Sequence, residues 1–349
     1  MSTRACVVHG AGDLRVEERE AAPPGGGEVA VSVALGGICG SDLHYYHRGS
    51  VGDFQVREPM VLGHEVVGHV AATGDGVNDL AVGAPVAIHP ATPCGSCPEC
   101  ALDHRNVCAH SRYLGSAART PHVQGGFAQH IVVPADQVRP LPDGLGLRRA
   151  VLAEPLSVAL HAVRRAGDVA GRRVLVTGAG PIGCLAVAAL RDAGAAEVIV
   201  TDLLDAPLAI AAQVGATSTI RADRGMPDQV DLAIEASGSA AGLSTCVQAV
   251  RRRGTVVLLG LLPPGETGFL GNVVVTRELQ LTGAFRFDHE FDEALSLLAG
   301  GLPVDPVLTH TFPLSEATAA FDIAGNRAVA SKVLLDLTAP VGCAGASAG

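Results

Sequence analysis

Residues 172–194, with the sequence RRVLVTGAGPIGCLAVAALRDAG, decide the fold of this chain. Residues 174–176 are an apolar run typical of a buried strand, and residues 184–190 have the apolar spacing of a helix. Between them three glycines follow the pattern G-x-G-x-x-G, namely Gly178, Gly180 and Gly183. A strand, a glycine turn and a helix in this order predict the start of a βαβ unit.

The glycine turn predicts a dinucleotide site, in which Pro181 and Ile182 complete the loop. Glycines let a pyrophosphate approach the helix N-terminus, where free N–H groups and the helix dipole favour an anion. Asp202 ends the next predicted strand about twenty positions on, where a carboxylate binds the adenosine ribose hydroxyls and repels a 2′-phosphate. Because residues 203–206 bring no cation, the pattern predicts NAD rather than NADP. The alternative for Asp202 is an ordinary helix cap.

The segments around this unit predict an α/β protein of two domains. Strand-like runs alternate with helix-like segments through residues 151–287, which indicates a doubly wound parallel sheet. The further strand-like runs are residues 198–201, 232–235, 255–259 and 279–282. Residues 1–150 instead contain short β-branched runs broken by glycine and proline, which are typical of an irregular β-rich domain.

The C-terminal part is predicted in two pieces. Residues 288–337 contain a predicted helix at 290–299 and a last strand at 332–337, and we expect this segment to return to the first domain. Residues 338–349 are rich in alanine, glycine and serine, so we expect a disordered tail.

The composition excludes several classes of protein. The chain has 349 residues, of which 48% are hydrophobic and 17% charged, and a formal net charge of -10. Its longest basic run is Arg251-Arg252-Arg253, and no stretch of about 18 apolar residues occurs, so we expect neither nucleic acid nor a membrane as a partner. The first residues show no secretory signal. Nine cysteines in such a chain indicate a reducing cytoplasm, where clustered thiols bind metals.

Four cysteines lie close together in a predicted lobe at residues 90–110. Their spacing is C-x2-C-x2-C-x7-C, at Cys94, Cys97, Cys100 and Cys108. Four thiolates around one tetrahedral zinc leave no open position, so the pattern predicts a structural zinc site. The alternatives are unpaired core cysteines, two disulfides or an iron–sulfur cluster.

A second set of ligand types is dispersed along the chain and predicts a catalytic zinc site. Its members are Cys39, His64, Glu65 and Glu154. Glycine or proline lies next to these residues, so each potential ligand projects from a constrained turn. Mixed thiolate, imidazole and carboxylate ligands with one exchangeable position are typical of catalytic zinc. Asp42 can accept the other imidazole N–H of His64, and Ser41 can pass a proton. Each residue alone also fits an ordinary buried or turn position, and the order of the two glutamates stays open.

These motifs together resemble the medium-chain zinc alcohol dehydrogenase family along nearly the whole chain. Glu154 stands where that family has a third cysteine ligand, so the chain is similar to the polyol branch typified by sorbitol dehydrogenase. The four-cysteine lobe and several short motifs are most similar to the idonate-oxidising type within that branch. These motifs are Gly115-Ser116-Ala117, Pro121-His122-Val123, Gly125-Gly126-Phe127 and Phe285-Arg286-Phe287.

The resemblance implies a GroES-like catalytic domain beside a Rossmann domain, with the active site in the cleft between them. It implies two zinc ions per chain, NAD as hydride acceptor, and a homodimer or homotetramer. Ser41 and His44 match the family's proton relay, and Tyr45 and Arg286 match positions that contact substrate. Lys332 matches a position that touches the cofactor pyrophosphate.

The implied activity is reversible oxidation of a secondary alcohol on an open-chain sugar acid, such as L-idonate to 5-ketogluconate. Arg286 can pair with the substrate carboxylate. The alternative within enzymes is a neutral polyol dehydrogenase acting on sorbitol or xylitol. A more distant alternative is a catalytically silent NAD-binding member of the family.

Overall fold

The structure is a computed structural model that describes residues 2–338. The predicted disordered tail therefore lies outside the described residues, except for Thr338. The chain forms two main sheets, a mixed sheet of mostly antiparallel strands and a parallel sheet flanked by helices.

The first part of the chain consists of short strands and few helices. They are β1 (Ser2–Gly10), β2 (Asp13–Glu20), β3 (Glu28–Gly37), α1 (Gly40–Arg48), β4 (Ser50–Val51), β5 (Phe54–Gln55), β6 (Met60–Val61), β7 (Glu65–Thr73), β8 (Pro85–Ile88), β9 (Ala91–Thr92), α2 (Pro98–Ala101), β10 (Arg112–Tyr113), β11 (His130–Pro134), β12 (Val138–Pro140) and α3 (Leu147–Ala150). Alternating buried side chains in β3 pack into one apolar core with β1, as a half-buried strand pattern predicts, whereas the first four residues of β7 are all buried.

The second part is the predicted doubly wound sheet. Its elements are α4 (Ala153–Ala166), β13 (Arg173–Thr177), α5 (Pro181–Asp192), β14 (Glu197–Asp202), α6 (Asp205–Gln213), β15 (Ser218–Arg221), β16 (Val230–Glu235), α7 (Ala240–Ala249), β17 (Val250–Leu258), α8 (Gly271–Thr276), β18 (Gln280–Gly283) and α9 (Glu290–Ala299). All neighbours are parallel, in the order β15-β14-β13-β16-β17-β18. This confirms the predicted fold class. The sequence did not indicate β15, because this edge strand is polar and largely exposed.

The chain then returns to the mixed sheet through β19 (Leu308–Pro313), α10 (Ala317–Gly325) and β20 (Lys332–Asp336). β20 pairs with β3, so the last strand lies beside one of the first. α9 packs on α4 in the core of the parallel-sheet half. The domain limits near residues 150 and 288 stay proposals.

Strand pairing in the mixed sheet brings the candidate site together. Gly37, the last residue of β3, lies opposite Glu65, the first residue of β7. A Cβ atom at Gly37 would lie 2.2 Å from Oε2 of Glu65, so only glycine leaves room for this carboxylate.

Among residues 2–338, no helix has the length and apolar character needed to cross a bilayer.

Candidate active site

Cys39, His64 and Glu65 converge in the structure. One potential ligand atom from each lies within 4.8 Å of the others. Cys39 stands at the N-cap of α1, while His64 and Glu65 lie at the start of β7. The predicted site residues come from two turns that the β3–β7 pairing holds side by side.

Asp42 holds both of these turns in place through hydrogen bonds. Its fully buried carboxylate accepts the backbone N–H of Cys39 at 2.9 Å through Oδ2 and that of Gly63 at 3.2 Å through Oδ1. The distance from Oδ1 to Nδ1 of His64 is 3.8 Å, which suits an ion pair but exceeds a hydrogen bond. The expected hydrogen bond from His64 to Asp42 is therefore absent here, and Asp42 orients the two turns through their backbones.

Glu65 and Lys332 form a buried ion pair beneath this cluster. Nζ of Lys332 donates to Oε1 of Glu65 at 2.7 Å and to the carbonyl oxygen of Ile38 at 3.1 Å. Oε2 of Glu65 is buried without a hydrogen-bond partner among residues 2–338. An orphaned carboxylate oxygen beside a thiol and an imidazole suits a metal ion. The ammonium of Lys332 is thus engaged by Glu65 and Ile38, and its contact with the cofactor pyrophosphate stays a prediction.

Glu154 approaches the cluster from the other half of the molecule. It lies in the first turn of α4, is buried, and accepts the hydroxyl of Tyr113 through Oε1 at 2.5 Å. It does not belong to the group of ligand atoms within 4.8 Å, although its charge acts on both His64 and Glu65. The two glutamates therefore differ in position, with Glu65 nearer to Cys39 and His64.

The cluster is electrostatically suited to a cation. Burial raises the pKa of Glu65 to about 7, against the opposing effect of Lys332, and the charge of Glu154 adds to the increase. Burial alone would lower the pKa of His64, but the charges of Asp42 and Cys39 outweigh it and raise this pKa to about 10. A divalent metal that binds His64 and Glu65 would displace the protons that these groups hold, because metal ligands must be deprotonated. The donors present fit zinc.

The four cysteines of the lobe also converge. Sγ of Cys108 lies 3.6 Å from Sγ of Cys94 and 3.7 Å from Sγ of Cys97, and all four sulfurs lie within 4.8 Å. Zn–S bonds of about 2.3 Å in a tetrahedron place sulfurs roughly 3.8 Å apart, so the cluster has the size of a zinc site. Hydrogen bonds from the backbone of Ser96 and Cys97 help to lower the pKa of Cys94 to about 6, which favours its thiolate.

The remaining predicted residues of the catalytic half lie on α1. Ser41 and His44 are half-buried near its start. Burial, followed by the charges of Arg48 and His47, lowers the pKa of His44. The buried hydroxyl of Tyr45 accepts the backbone N–H of Ala117 at 3.0 Å, so this side chain also fixes the predicted Gly115-Ser116-Ala117 motif.

Arg286 reaches the site from the loop after β18. Its guanidinium carbon lies 4.0 Å from the centre of the Tyr113 ring and 4.9 Å from that of Phe285. Desolvation lowers its pKa, while Tyr113 and Glu154 oppose this effect. The sequence did not indicate Tyr113, which joins Arg286 to Glu154 and comes from a two-residue strand without a motif of its own.

The glycine turn lies between β13 and α5 as predicted. Gly178 has φ of 89°, and a Cβ atom at Gly183 would lie 1.9 Å from the carbonyl oxygen of Gly178. A Cβ atom at Gly180 would meet nothing within 4 Å, so this position borders open space at the start of α5, beside Pro181 and Ile182. Such a cradle suits a pyrophosphate. Asp202 at the end of β14 is buried and tied to the turn, because it accepts the N–H of Ala179 at 2.8 Å.

Comparison with known proteins agrees with this geometry. The chain matches family models for the alcohol dehydrogenase GroES-like domain over residues 25–143 and the zinc-binding dehydrogenase over residues 181–300. It is 37% identical to L-idonate 5-dehydrogenase (NAD(P)(+)) of Escherichia coli strain K12 over 96% of this chain and 99% of that protein. It is 38% identical to sorbitol dehydrogenase of Gallus gallus over 91% of this chain and 92% of the relative.

Solved structures give the same result. A crystal structure of L-idonate 5-dehydrogenase from E. coli K-12 matches with a TM-score of 0.92, covering 96% of this chain and 98% of that one at 37% identity. A putative zinc-binding dehydrogenase from Sinorhizobium meliloti 1021, bound to NADP, matches with a TM-score of 0.87 and 32% identity over 96% and 99% of the two chains. The chain belongs to the zinc-dependent medium-chain alcohol dehydrogenase family, with zinc and a nicotinamide dinucleotide as its cofactors.

Proposed function

We propose that this enzyme reversibly oxidises a secondary alcohol of an open-chain sugar acid, with L-idonate and 5-ketogluconate as the candidate pair and NAD as the hydride acceptor. The observation that carries the proposal is the position of Arg286. Its guanidinium stacks on Tyr113, whose hydroxyl donates to Glu154 beside the metal-ligand cluster.

Arg286 has the properties of a carboxylate receptor. Among the ion pairs of residues 2–338 none within 4.0 Å involves Arg286, and stacking on Tyr113 removes one face of the guanidinium from water. A guanidinium stays charged even when desolvated, so it gains most from an anionic partner with two oxygens. A neutral polyol would leave this charge without a counterion, whereas a sugar acid supplies a carboxylate that binds it in a bidentate manner.

The other site residues have separate roles in this proposal. Cys39, His64 and Glu65 hold the catalytic zinc, and Cys94, Cys97, Cys100 and Cys108 hold the structural zinc. When bound, zinc lowers the pKa of a substrate hydroxyl and the nicotinamide accepts a hydride. Lys332 fixes Glu65 in its rotamer, and Tyr113 fixes Glu154 at the edge of the cluster.

Proton transfer to solvent falls to Ser41 and His44. His44 has a lowered pKa, so its imidazole is neutral near pH 7 and able to accept a proton. It is half-buried on α1, so its imidazole is in part accessible to water. Tyr45 holds the loop at Ala117 through its hydroxyl, and we assign its ring to substrate contact.

Asp202 supports the use of NAD as cofactor, because its carboxylate can accept the adenosine ribose hydroxyls. Two relatives point to a broader choice of cofactor, since one is named for use of NAD(P)(+) and another was solved with NADP.

Eight unpaired cysteines among the described residues fit a cytoplasmic location. A homodimer or homotetramer remains our proposal for the assembly.

The test is a panel of aldonates and neutral polyols with NAD and NADP, followed by absorbance at 340 nm. Arg286→Gln should lower kcat/KM for the sugar acid about 100-fold, because a charge-assisted bidentate contact contributes about 1.5–3 kcal/mol, and it should change polyol oxidation less than about fivefold. Arg112→Gln is the matched control, since it removes an exposed cation next to Tyr113 in the chain.

The second candidate function is neutral polyol oxidation, which the similarity to sorbitol dehydrogenase favours. Equal losses on acid and polyol in Arg286→Gln would reject the carboxylate role and leave the polyol function. No NADH signal with any compound, and no change of NAD binding in Cys39→Ser, would instead support a catalytically silent protein.

A further inference from the structure

Asp202, the carboxylate expected to bind the adenosine ribose, has a cationic partner that the local sequence does not contain. Nη2 of Arg327 lies 2.5 Å from Oδ2 of Asp202. Arg327 follows α10 and lies 125 positions along the chain from Asp202, in the half of the molecule that does not carry the glycine turn. The Asp202 side chain is 3% exposed and that of Arg327 is 50% exposed, so the cation faces the solvent side of the carboxylate.

This pairing changes the charge at the adenosine end of the cofactor site. Asp202 already accepts the backbone N–H of Ala179 at 2.8 Å and that of Leu204 at 3.1 Å. Adding Arg327 neutralises a carboxylate that would otherwise repel any second anion. The next acidic residue, Asp205, is paired with Arg221 at 3.2 Å, so the loop after β14 is less anionic than its sequence indicates.

Arg327 also retains donors for a ligand. Its bond to Asp202 uses Nη2, whereas a guanidinium has five N–H donors in a planar fork. Arg221, which lies opposite Asp202 in the strand register, has its guanidinium engaged by both Asp205 and Asp223. Arg327 is thus a half-exposed cation at this edge that is held by a single carboxylate, that of Asp202.

We propose that Arg327 makes the adenosine site accept NADP as well as NAD. With NAD, Arg327 stays on Asp202 and leaves Oδ1 to the ribose hydroxyls. With NADP, the guanidinium contacts the 2′-phosphate while it still offsets the charge of Asp202, as an arginine near the ribose does in NADP-binding Rossmann folds. Cofactor choice is then set by a residue from the opposite half of the molecule.

The experiment measures binding, separately from turnover. Dissociation constants for NAD, NADP, 5′-AMP and 2′-AMP are determined by calorimetry on the zinc-loaded enzyme and on Arg327→Ala. The two AMP isomers isolate the 2′-phosphate from the rest of the cofactor. Arg252→Ala is the matched control, because it removes an exposed arginine from β17, which lies three strands from β14 in the sheet.

We expect the wild-type Kd for NADP to lie within about tenfold of that for NAD. Arg327→Ala should raise the Kd for NADP and 2′-AMP by about 10- to 100-fold, which corresponds to a lost charge-assisted hydrogen bond, and should change NAD and 5′-AMP less than about threefold. Arg252→Ala should leave all four values within about twofold, because an exposed distant charge is screened.

Three results would overturn the proposal. These are a wild-type enzyme that binds NAD but not NADP, equal effects of Arg327→Ala and Arg252→Ala, and equal losses for NAD and NADP in Arg327→Ala, which would indicate a structural role. If Arg327→Ala does not fold, the same dissociation constants are measured for Arg327→Lys. The salt dependence of cofactor binding is measured for the wild type. The Kd for NADP must then rise more steeply with NaCl than that for NAD, and an equal rise rejects the proposal.

Discussion

The two candidate zinc sites of this enzyme are built in opposite ways. The four-cysteine lobe takes its ligands from residues 94–108, a stretch with one four-residue helix and a 3-10 turn, and Cys94 is exposed. The Cys39–His64–Glu65 cluster is assembled by sheet pairing, with Cys39 half-buried, His64 and Glu65 buried, and Glu65 paired with Lys332. A site made from local sequence needs its metal to hold its shape, whereas a site made by the fold is in place before the metal arrives.

The largest effect should follow from breaking the lobe. Cys100→Ser removes one of four thiolates, and structural zinc contributes about 10–16 kcal/mol of binding free energy in small zinc-finger systems. We expect zinc content to fall from two ions to one per chain, with rapid proteolysis inside residues 94–108 and an otherwise unchanged circular dichroism spectrum. Retention of both ions would contradict the proposed ligands.

Breaking the catalytic cluster should give the reverse pattern. Cys39→Ser should lower kcat about 1,000-fold or more, because a zinc Lewis acid contributes several kcal/mol of transition-state stabilisation. The melting temperature should change by no more than a few degrees, since Asp42 and Lys332 hold this site through protein contacts. Proteolysis of Cys39→Ser as rapid as that expected for Cys100→Ser would remove the distinction between the two sites.

The same difference explains which features were predictable from sequence. The glycine turn and the cysteine lobe are local patterns, so the residues that act together stand close together in the chain. The pairs Glu65–Lys332, Asp202–Arg327 and Tyr113–Glu154 are 267, 125 and 41 positions apart. Each depends on strand register or on packing between the two halves, which no spacing in one sequence encodes. The sequence therefore indicated neither the pairing of Lys332 with Glu65 nor that of Arg327 with Asp202.

One contact joins the lobe to the catalytic region. Nδ2 of Asn106, between the third and fourth lobe cysteines, donates to the carbonyl oxygen of Phe285 at 2.9 Å. Asn106 also lies 3.3 Å from Nε2 of His161, whose Nδ1 is 3.0 Å from Oε1 of Glu290. The lobe thereby holds the residue that immediately precedes Arg286.

If Arg286 binds the substrate carboxylate, Asn106→Ala should raise KM for the sugar acid by about five- to tenfold, the equivalent of one hydrogen bond of about 1 kcal/mol. Polyol oxidation and zinc content should stay nearly unchanged. Asn106→Asp, which keeps the size but loses the amide donor, should match Asn106→Ala in steady-state kinetics. Wild-type KM in both variants would show that the lobe acts independently of the Arg286 loop.

The smallest expected effect concerns proton movement, which only the catalytic region requires. His44 must be neutral to accept a proton, and its pKa is lowered by burial and by the charges of Arg48 and His47. The acid limb of the pH profile of kcat should therefore lie below pH 6.5, the ordinary pKa of histidine. Removing a cation in Arg48→Gln favours the protonated form, raises this pKa and moves the acid limb upward by about 0.3 pH units, because the side chain is exposed and screened.

Arg105→Gln is the matched control for this measurement, since Arg105 is an exposed arginine in the lobe. Profiles of kcat between pH 5 and 9 at constant ionic strength and saturating substrates report groups in the enzyme–substrate complex. Arg105→Gln should leave the acid limb in place, because the lobe carries no proton in the reaction. A downward shift in Arg48→Gln, or equal shifts in both variants, would mean that His44 does not set the limb and that the proton leaves by another route.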